Sequence, residues 1–206
     1  HATPMDLYMK NYGGLDLEPS ERKNYRKICY FLGIMVNAEG KRFLDEGKNF
    51  RNYTYAQYGR KVLEQSGNFA WQIFDSKVFD LLYEEYRFHD AHFVEGTTLD
   101  EIISKLEGVD KNEVKKTIQE YNASIDSKIE FDPTILDGKS TKGIEISKSN
   151  WAQKLDKGPF KAFPVTGGIT FTYGGLKVSE NGSVINNDNK PIKGLFACGE
   201  LIGGVF

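Results

Sequence analysis

The chain has 206 residues, with 27 Lys and Arg against 29 Asp and Glu and a formal net charge of −2. That length can bury roughly 70% of the surface its unfolded form exposes, so a core forms without disulfide or metal staples. The near-neutral balance gives no whole-molecule attraction to nucleic acid or to an anionic membrane, and any anion must be held locally.

Residues 1 to 30 are rich in Tyr, Lys and Arg, with turn signals at Tyr12-Gly13-Gly14 and Glu18-Pro19-Ser20. They read as an irregular opening segment followed by a short extended or helical piece. GIMVN (33–37) followed by AEGKRF predicts a hairpin turning at Glu39-Gly40. From Tyr53 to Gln65, Tyr55, Tyr58, Val62 and Leu63 recur at helical spacing, and Gly67 stands where that helix would stop. FAWQIF (69–74) is a buried-strand candidate, and Val78, Leu81, Leu82 and Tyr86 then mark one stripe of a helix over 76–87. Two further helices begin with capping-box spacing, Thr98 with Glu101 and Asp110 with Glu113. Residues 131–158 turn to Asp, Pro, Gly, Lys and Ser, a long connector with at most a short helix near 148–155. KAFPV, GITFTYGGLKV, GSVIN and KGLFACGE are short β-rich runs broken by Gly and by the turn NNDNK. Helices crowd the middle and strands the end, which predicts an α+β fold rather than alternating βαβ units.

Cys29 and Cys198 belong to no CxxC pair, which argues against a disulfide framework or a structural zinc site and for reduced thiols in a cytoplasmic protein. Cys198 reads as a small buried hydrophobe. No apolar run reaches the ~20 residues that cross a bilayer, and the first residues show no signal pattern. The chain does not begin with Met and stops at the glycine-rich GELIGGVF, as expected of a piece of a longer polypeptide. His89 and His92 could take an i, i+3 metal spacing with Asp90 between them, but no further ligands recur nearby and a polar helix end is the simpler reading. The aromatics do not interleave with a basic stripe, so no nucleic-acid partner is expected.

Two separated blocks carry a family resemblance. GIMVNAEGKRFLDEGKNFRNYT resembles a block of the fumarate reductase and succinate dehydrogenase flavoprotein family, in which a G-x-R-F-x-x-E hairpin leads to an active-site arginine. Here the hairpin is Gly40-Lys41-Arg42-Phe43 with Glu46, and the arginine is Arg51. GITFTYGGLKVSENGSVIN followed by PIKGLFACGELIGG is similar to the family's return from cap to flavin domain. Residues 1 to 95 look closest to tricarballylate dehydrogenase-like proteins.

The resemblance implies a capping, substrate-binding domain over 1–165 and a partial return segment of the FAD-binding domain over 166–206. The family's N-terminal GxGxxG turn is absent, so this stretch alone is expected to bind FAD poorly, and the remainder of the flavin domain is the implied partner. The implied reaction moves hydrogen across a carbon–carbon bond flanked by carboxylates. It needs a flavin for the hydride, cations for the carboxylates and a group that exchanges the second proton. Arg51 would serve both latter needs, since its planar fork pairs carboxylate oxygens and keeps its charge on burial. The other reading of Arg51 is a surface residue near a helix start.

His1, in HATP, falls near the family's active-site His-Pro pair, although two residues separate it from Pro4; an ordinary loop histidine is the competing reading. Tyr25 and Arg26 stand where fumarate reductases carry Thr-Glu, a change from acceptor to cation that would suit an extra carboxylate. The basic cluster Arg22, Lys23, Arg26 and Lys27 otherwise reads as a solvated face. Phe171 and Thr172 stand where those enzymes have His-Thr, so one carboxylate clamp must be rebuilt, with Thr170, Thr172 and Tyr173 as hydroxyl donors. Gly174 and Gly175 would let the backbone approach flavin or substrate, or simply form a bulge. Gly199, Glu200, Gly203 and Gly204 resemble the family's second flavin contact.

A di- or tricarboxylate is the implied substrate, with a membrane or soluble electron acceptor. A hinged lid would admit substrate when open and exclude water when shut. Phe171 and Tyr173 keep a second reading, a ring-ketone or steroid dehydrogenase. A stand-alone binding domain without flavin is the alternative from another class.

Overall fold

The computed structural model describes residues 2–4, 26–87, 92–126, 128–169 and 174–204. His1, Tyr25, His89, Thr170, Phe171, Thr172 and Tyr173 lie outside the described residues. The chain divides into two compact units, His1–Gly168 and Ile169–Phe206, and its mix of helices and antiparallel sheet is α+β.

In the first unit, strands β1 (Ala2–Pro4), β2 (Ile34–Val36), β3 (Phe69–Asp75), β4 (Val94–Gly96) and β5 (Phe160–Gly167) form one antiparallel sheet. β3 pairs with β5 from Phe69↔Thr166 to Asp75↔Phe160, and β2 takes the other edge of β3. β1 and β4 share the outer edge of β5 at its two ends.

Ala70 to Asp75 are buried without interruption, so both faces of the sheet are covered. The two-residue alternation sends Ile34, Val36, Trp71, Ile73 and Ala162 to one face, against helices α2 (Leu99–Lys105) and α3 (Lys111–Ser124) through Ile102, Val114 and Ile118. Met35, Ala70 and Val165 face the other side, where α1 (Arg51–Leu63) packs Tyr58 and Val62. Each buried Ile, Val or Met among them contributes about 1.5–3 kcal/mol by leaving water.

Both capping residues act as expected. Thr98 Oγ accepts from the Glu101 N–H at 3.1 Å, and the Asp110 carboxylate accepts from the Asn112 and Glu113 N–H groups at 3.0 Å. The return arm of the first box is shifted by one residue, because Glu101 accepts from the Thr97 N–H at 2.8 Å.

Two of the elements expected in this unit need correction. The turn at Glu39-Gly40 forms, with Asn37 N–H donating to Lys41 O at 3.0 Å, but no second strand follows. β2 spends its hydrogen bonds on β3 instead, and Arg42 is drawn inward to Glu46. Residues 76–87 are not one α-helix but two 3-10 turns, Ser76–Leu81 and Glu84–Tyr86, separated by extended backbone at Leu82 and Tyr83. Residues 148–155 hold no helix. Their side chains serve as buried plugs and anchors, with Trp151 Nε1 donating to Asp132 O at 2.9 Å and Asn150 Nδ2 to Gly47 O at 2.8 Å.

In the second unit, β6 (Ser183–Ile185) pairs antiparallel with β7 (Pro191–Phe196). Every residue of β7 is exposed, including Ile192, Leu195 and Phe196. Cys198 is exposed as well and is not the buried hydrophobe expected; Cys29 is the buried cysteine.

Candidate active site

The first unit's polar machinery is set by a buried network under the 26–32 segment. Gln72, fully buried on β3, donates through Nε2 to Lys27 O at 2.8 Å and accepts from the Tyr86 hydroxyl at 2.6 Å. The same hydroxyl accepts from the Cys29 N–H at 2.9 Å. Lys27 is completely buried, its ammonium donating to Glu85 O and lying 4.6 Å from the centre of the Tyr86 ring. Lys27 therefore departs from the solvated basic face expected of this cluster. An unsatisfied buried donor costs about 1–3 kcal/mol, so this network ties the 26–29 segment to the second 3-10 turn.

Arg26, Arg51, Tyr83 and Arg87, with the carboxylates Asp80, Glu84 and Glu85, line a wide, shallow cavity of about 680 Å³. Arg51 is the first residue of α1, one turn before the buried Thr54. Helix geometry thus sends its side chain toward the buried side. Nothing in the helix favours a cation there: the first turn holds no acid, and the capping residue, Phe50, makes no side-chain hydrogen bond. A positive charge at a helix N-terminus costs about 0.3–1 kcal/mol.

Arg51 Nε donates to the Tyr83 hydroxyl, and the guanidinium carbon lies 4.7 Å from the centre of the Tyr83 ring. Among the described residues no carboxylate pairs with Arg51. Arg26 does have one, Glu85, at 3.1 Å, yet its own Nε is buried without an acceptor among the described residues. The Tyr83 backbone N–H donates to Cys29 Sγ at 3.4 Å, and burial pushes the Cys29 thiol up to about 12, so it remains a protonated acceptor.

The other arginine of the first block behaves differently. Arg42 donates to Glu46 through Nε at 3.1 Å and Nη2 at 2.5 Å, and Glu46 also accepts from the Met35 N–H at 2.8 Å. Burial pulls the Arg42 guanidinium down, but the charge and hydrogen bonds of Glu46 together hold it above the ordinary arginine range. Arg42 also lines a smaller cavity of about 180 Å³ beside Tyr121 and Ile146, with its charge already matched.

In the second unit the glycines of the two runs expected to contact flavin fall into two physical classes. A Cβ at Gly175 would lie 2.5 Å from Leu201 O, and one at Gly203 3.1 Å from Gly175 N, so these two let their own segments meet. Leu176 N–H donates to Leu201 O at 2.9 Å and Gly203 N–H to Leu176 O at 3.0 Å across that contact. At Gly174, Gly199 and Gly204 a Cβ would meet nothing within 4 Å among the described residues. Gly199 and Gly204 also have positive φ, at 72° and 83°. This bare, accessible backbone fits the approach of a flat cofactor. Glu200 is exposed in the 3-10 turn between Gly199 and Leu201.

Of the residues singled out from sequence, the structure brings Arg26 and Arg51 to one cavity. Tyr83, Glu85 and Arg87 were not anticipated there. The run LLYEEY fits an amphipathic helix as well as it fits two tight turns, and the break shows in the tertiary contacts of Tyr83 and Tyr86.

Comparison with known proteins supports the family resemblance of the chain. "Probable fumarate reductase Ifc3" of Shewanella frigidimarina (strain NCIMB 400) is 30% identical over 177 residues, which cover 84% of this chain and 26% of that protein. "NADH:acrylate oxidoreductase" of Vibrio harveyi is 30% identical over 182 residues, covering 84% of this chain and 16% of that protein. The chain therefore spans about a quarter or less of the length of these relatives. The open conformation of a flavocytochrome c3 fumarate reductase superposes with a TM-score of 0.62 at 25% identity, covering 100% of this chain and 31% of that one. A family model described as "FAD binding domain" matches residues 27–206, so this chain belongs to the FAD binding domain family.

Proposed function

We propose that the full-length protein is an FAD-dependent oxidoreductase that moves hydrogen across a carbon–carbon bond beside a carboxylate. The substrate is a polycarboxylate, either tricarballylate-like and oxidised to the unsaturated acid or fumarate-like and reduced. The first unit supplies carboxylate binding and proton transfer, and the second supplies backbone contacts to the cofactor. Bound FAD supplies the hydride donor or acceptor.

The observation that carries this reading is Arg51: a half-buried guanidinium, held by a neutral phenol, with no carboxylate partner among the described residues and an open cavity beside it. A cation placed against a helix dipole and left uncompensated serves a ligand better than it serves the fold. In this role the Arg51 fork grips a substrate carboxylate through paired N–H donors and exchanges a proton with the carbon beside it. Arg26 lines the same cavity, but its charge is shared with Glu85, so Arg51 is the cation this reading rests on. The likeness to a fumarate reductase and an acrylate oxidoreductase supports an unsaturated acid as one of the two reactants. The exposed apolar strand β7 supports the remainder of the flavin domain as its covering partner.

Phe171, in place of a histidine, favours one second reading, the dehydrogenation of a ring ketone. The visible spectrum of the full-length protein separates the two. Oxidised flavin bleached by tricarballylate, or reduced flavin reoxidised by fumarate, is the expected result; reoxidation by acrylate alone would keep the acid chemistry but make the substrate a monocarboxylate. A flavin band that responds to cyclohexanone or cyclohex-2-enone and to none of the acids would replace this reading with the second.

A further inference from the structure

The Arg51–Tyr83 contact solves a specific problem. A guanidinium that must grip a substrate has to be aimed, and the usual aiming partner, a carboxylate, also cancels its charge. Arg42 shows that outcome, with Glu46 occupying both its Nε and one of its Nη groups. At Arg51 the acceptor is a phenol. Its oxygen takes the Nε proton, the one nearest the stem, so among the described residues the two Nη groups and their planar fork keep no protein acceptor while Arg51 lines the cavity. Its ring lies 4.7 Å from the guanidinium carbon and limits tilting. Tyr83 is fixed in turn by extended backbone between two 3-10 turns, by its N–H to Cys29 Sγ at 3.4 Å, and by the buried neighbours Leu82 and Tyr86.

We infer that Tyr83 is the positioning residue for Arg51, aiming its Nη fork at an anionic substrate through a neutral oxygen and a ring face without neutralising its charge. This rests on the proposed role of Arg51. Without Tyr83 the cation remains in the cavity, so substrate is still attracted, but the fork no longer holds the geometry that proton transfer requires.

The test uses the full-length, FAD-loaded protein and whichever of tricarballylate, fumarate and acrylate it turns over fastest. Tyr83→Phe keeps the ring and removes the oxygen. Turnover per bound flavin should fall about 10- to 100-fold, with KM within about threefold, because misaimed catalytic groups lose rate more than binding. Tyr83→Leu, which also removes the ring, should lose more. Lysine has no Nε–H fork to aim, so in an Arg51→Lys background Tyr83→Phe should change turnover less than about twofold.

Normal turnover per flavin in Tyr83→Phe would overturn the inference even if the variant were less stable. An equal loss from Tyr83→Phe in the native and the Arg51→Lys backgrounds would overturn it too, since Tyr83 would then act independently of Arg51. Failure of the underlying reading looks different: Arg51→Lys alone would keep near-normal turnover, or none of the three acids would react, and the inference would fall with it.

Discussion

Arg42 and Arg51 lie close in sequence, in the same block, and show two opposite uses of one side chain. Arg42 is buried beside a buried carboxylate, so its charge is matched and its hydrogen bonds are spent on Glu46, Leu44 O and Ile146 O. Arg51 faces a phenol and a cavity, so its charge is kept. The partner, rather than the arginine, decides whether the charge serves the fold or a ligand. A buried ion pair is costly to break because the survivor is left uncompensated, whereas a half-exposed cation–phenol contact is worth only about 0.5–2 kcal/mol.

The largest stability effect should follow from Glu46→Gln in the full-length protein. It leaves the Arg42 charge buried without its counter-ion and removes the charged acceptor of the Met35 N–H, and the expected loss is about 3–5 kcal/mol. Denaturant unfolding checks this, and turnover per folded, flavin-loaded molecule should change little. A loss below about 1 kcal/mol would show that the Arg42–Glu46 pair does not hold the first block.

This contrast was only partly legible in the sequence. The GKRF block pointed to both arginines, but nothing in the spacing told which would be neutralised, because Glu46 sits at helical i+4 from Arg42 in a segment that is not a helix. The central strands and α1 to α3 were readable, since burial on both faces of β3, Tyr58 and Val62 of the expected α1 stripe and the Thr98 and Asp110 caps are local signals, although Leu63 of that stripe is exposed and Thr54 is buried instead. The helix expected over 76–87 was not realised, because Val78, Leu82 and Tyr86 can all be buried by two short turns as well as by one long one. The competing terms there are tertiary: Tyr86 to Gln72 and Cys29, and Tyr83 to Cys29 and Arg51. No single-sequence pattern encodes them. Strands β1 and β4 escaped notice because three residues are too few for a period to show.

A third cation sharpens the comparison with a smaller effect. Lys148 is fully buried, with Nζ donating to Gly33 O at 2.6 Å, and burial pulls its ammonium down to about 8, partly countered by Glu46. In the unfolded chain the same group titrates near the ordinary 10.5. Below pH 8 both states are protonated and the fold carries the full cost of the buried charge. Between about pH 8 and 10.5 only the unfolded state stays protonated, so this group makes the fold more stable as pH rises. Lys148→Met removes the titration. Relative to that variant, the native protein should gain a few kcal/mol at most between about pH 7.5 and 10, measured as denaturation midpoints for both proteins. A constant difference across that window would show that Lys148 keeps its ordinary proton affinity.

The most direct measurement replaces Arg51 with Ala in the full-length flavoprotein and compares turnover per bound flavin with the unfolding midpoint. Turnover should fall by about 10²–10³-fold, the usual cost of removing a charge-stabilising donor. The midpoint should barely move, because relief of the helix-dipole penalty of about 0.3–1 kcal/mol offsets the lost contact with Tyr83. Turnover close to that of the native protein, or a stability loss as large as that of Glu46→Gln, would contradict the assignment of Arg51 to the ligand rather than the fold.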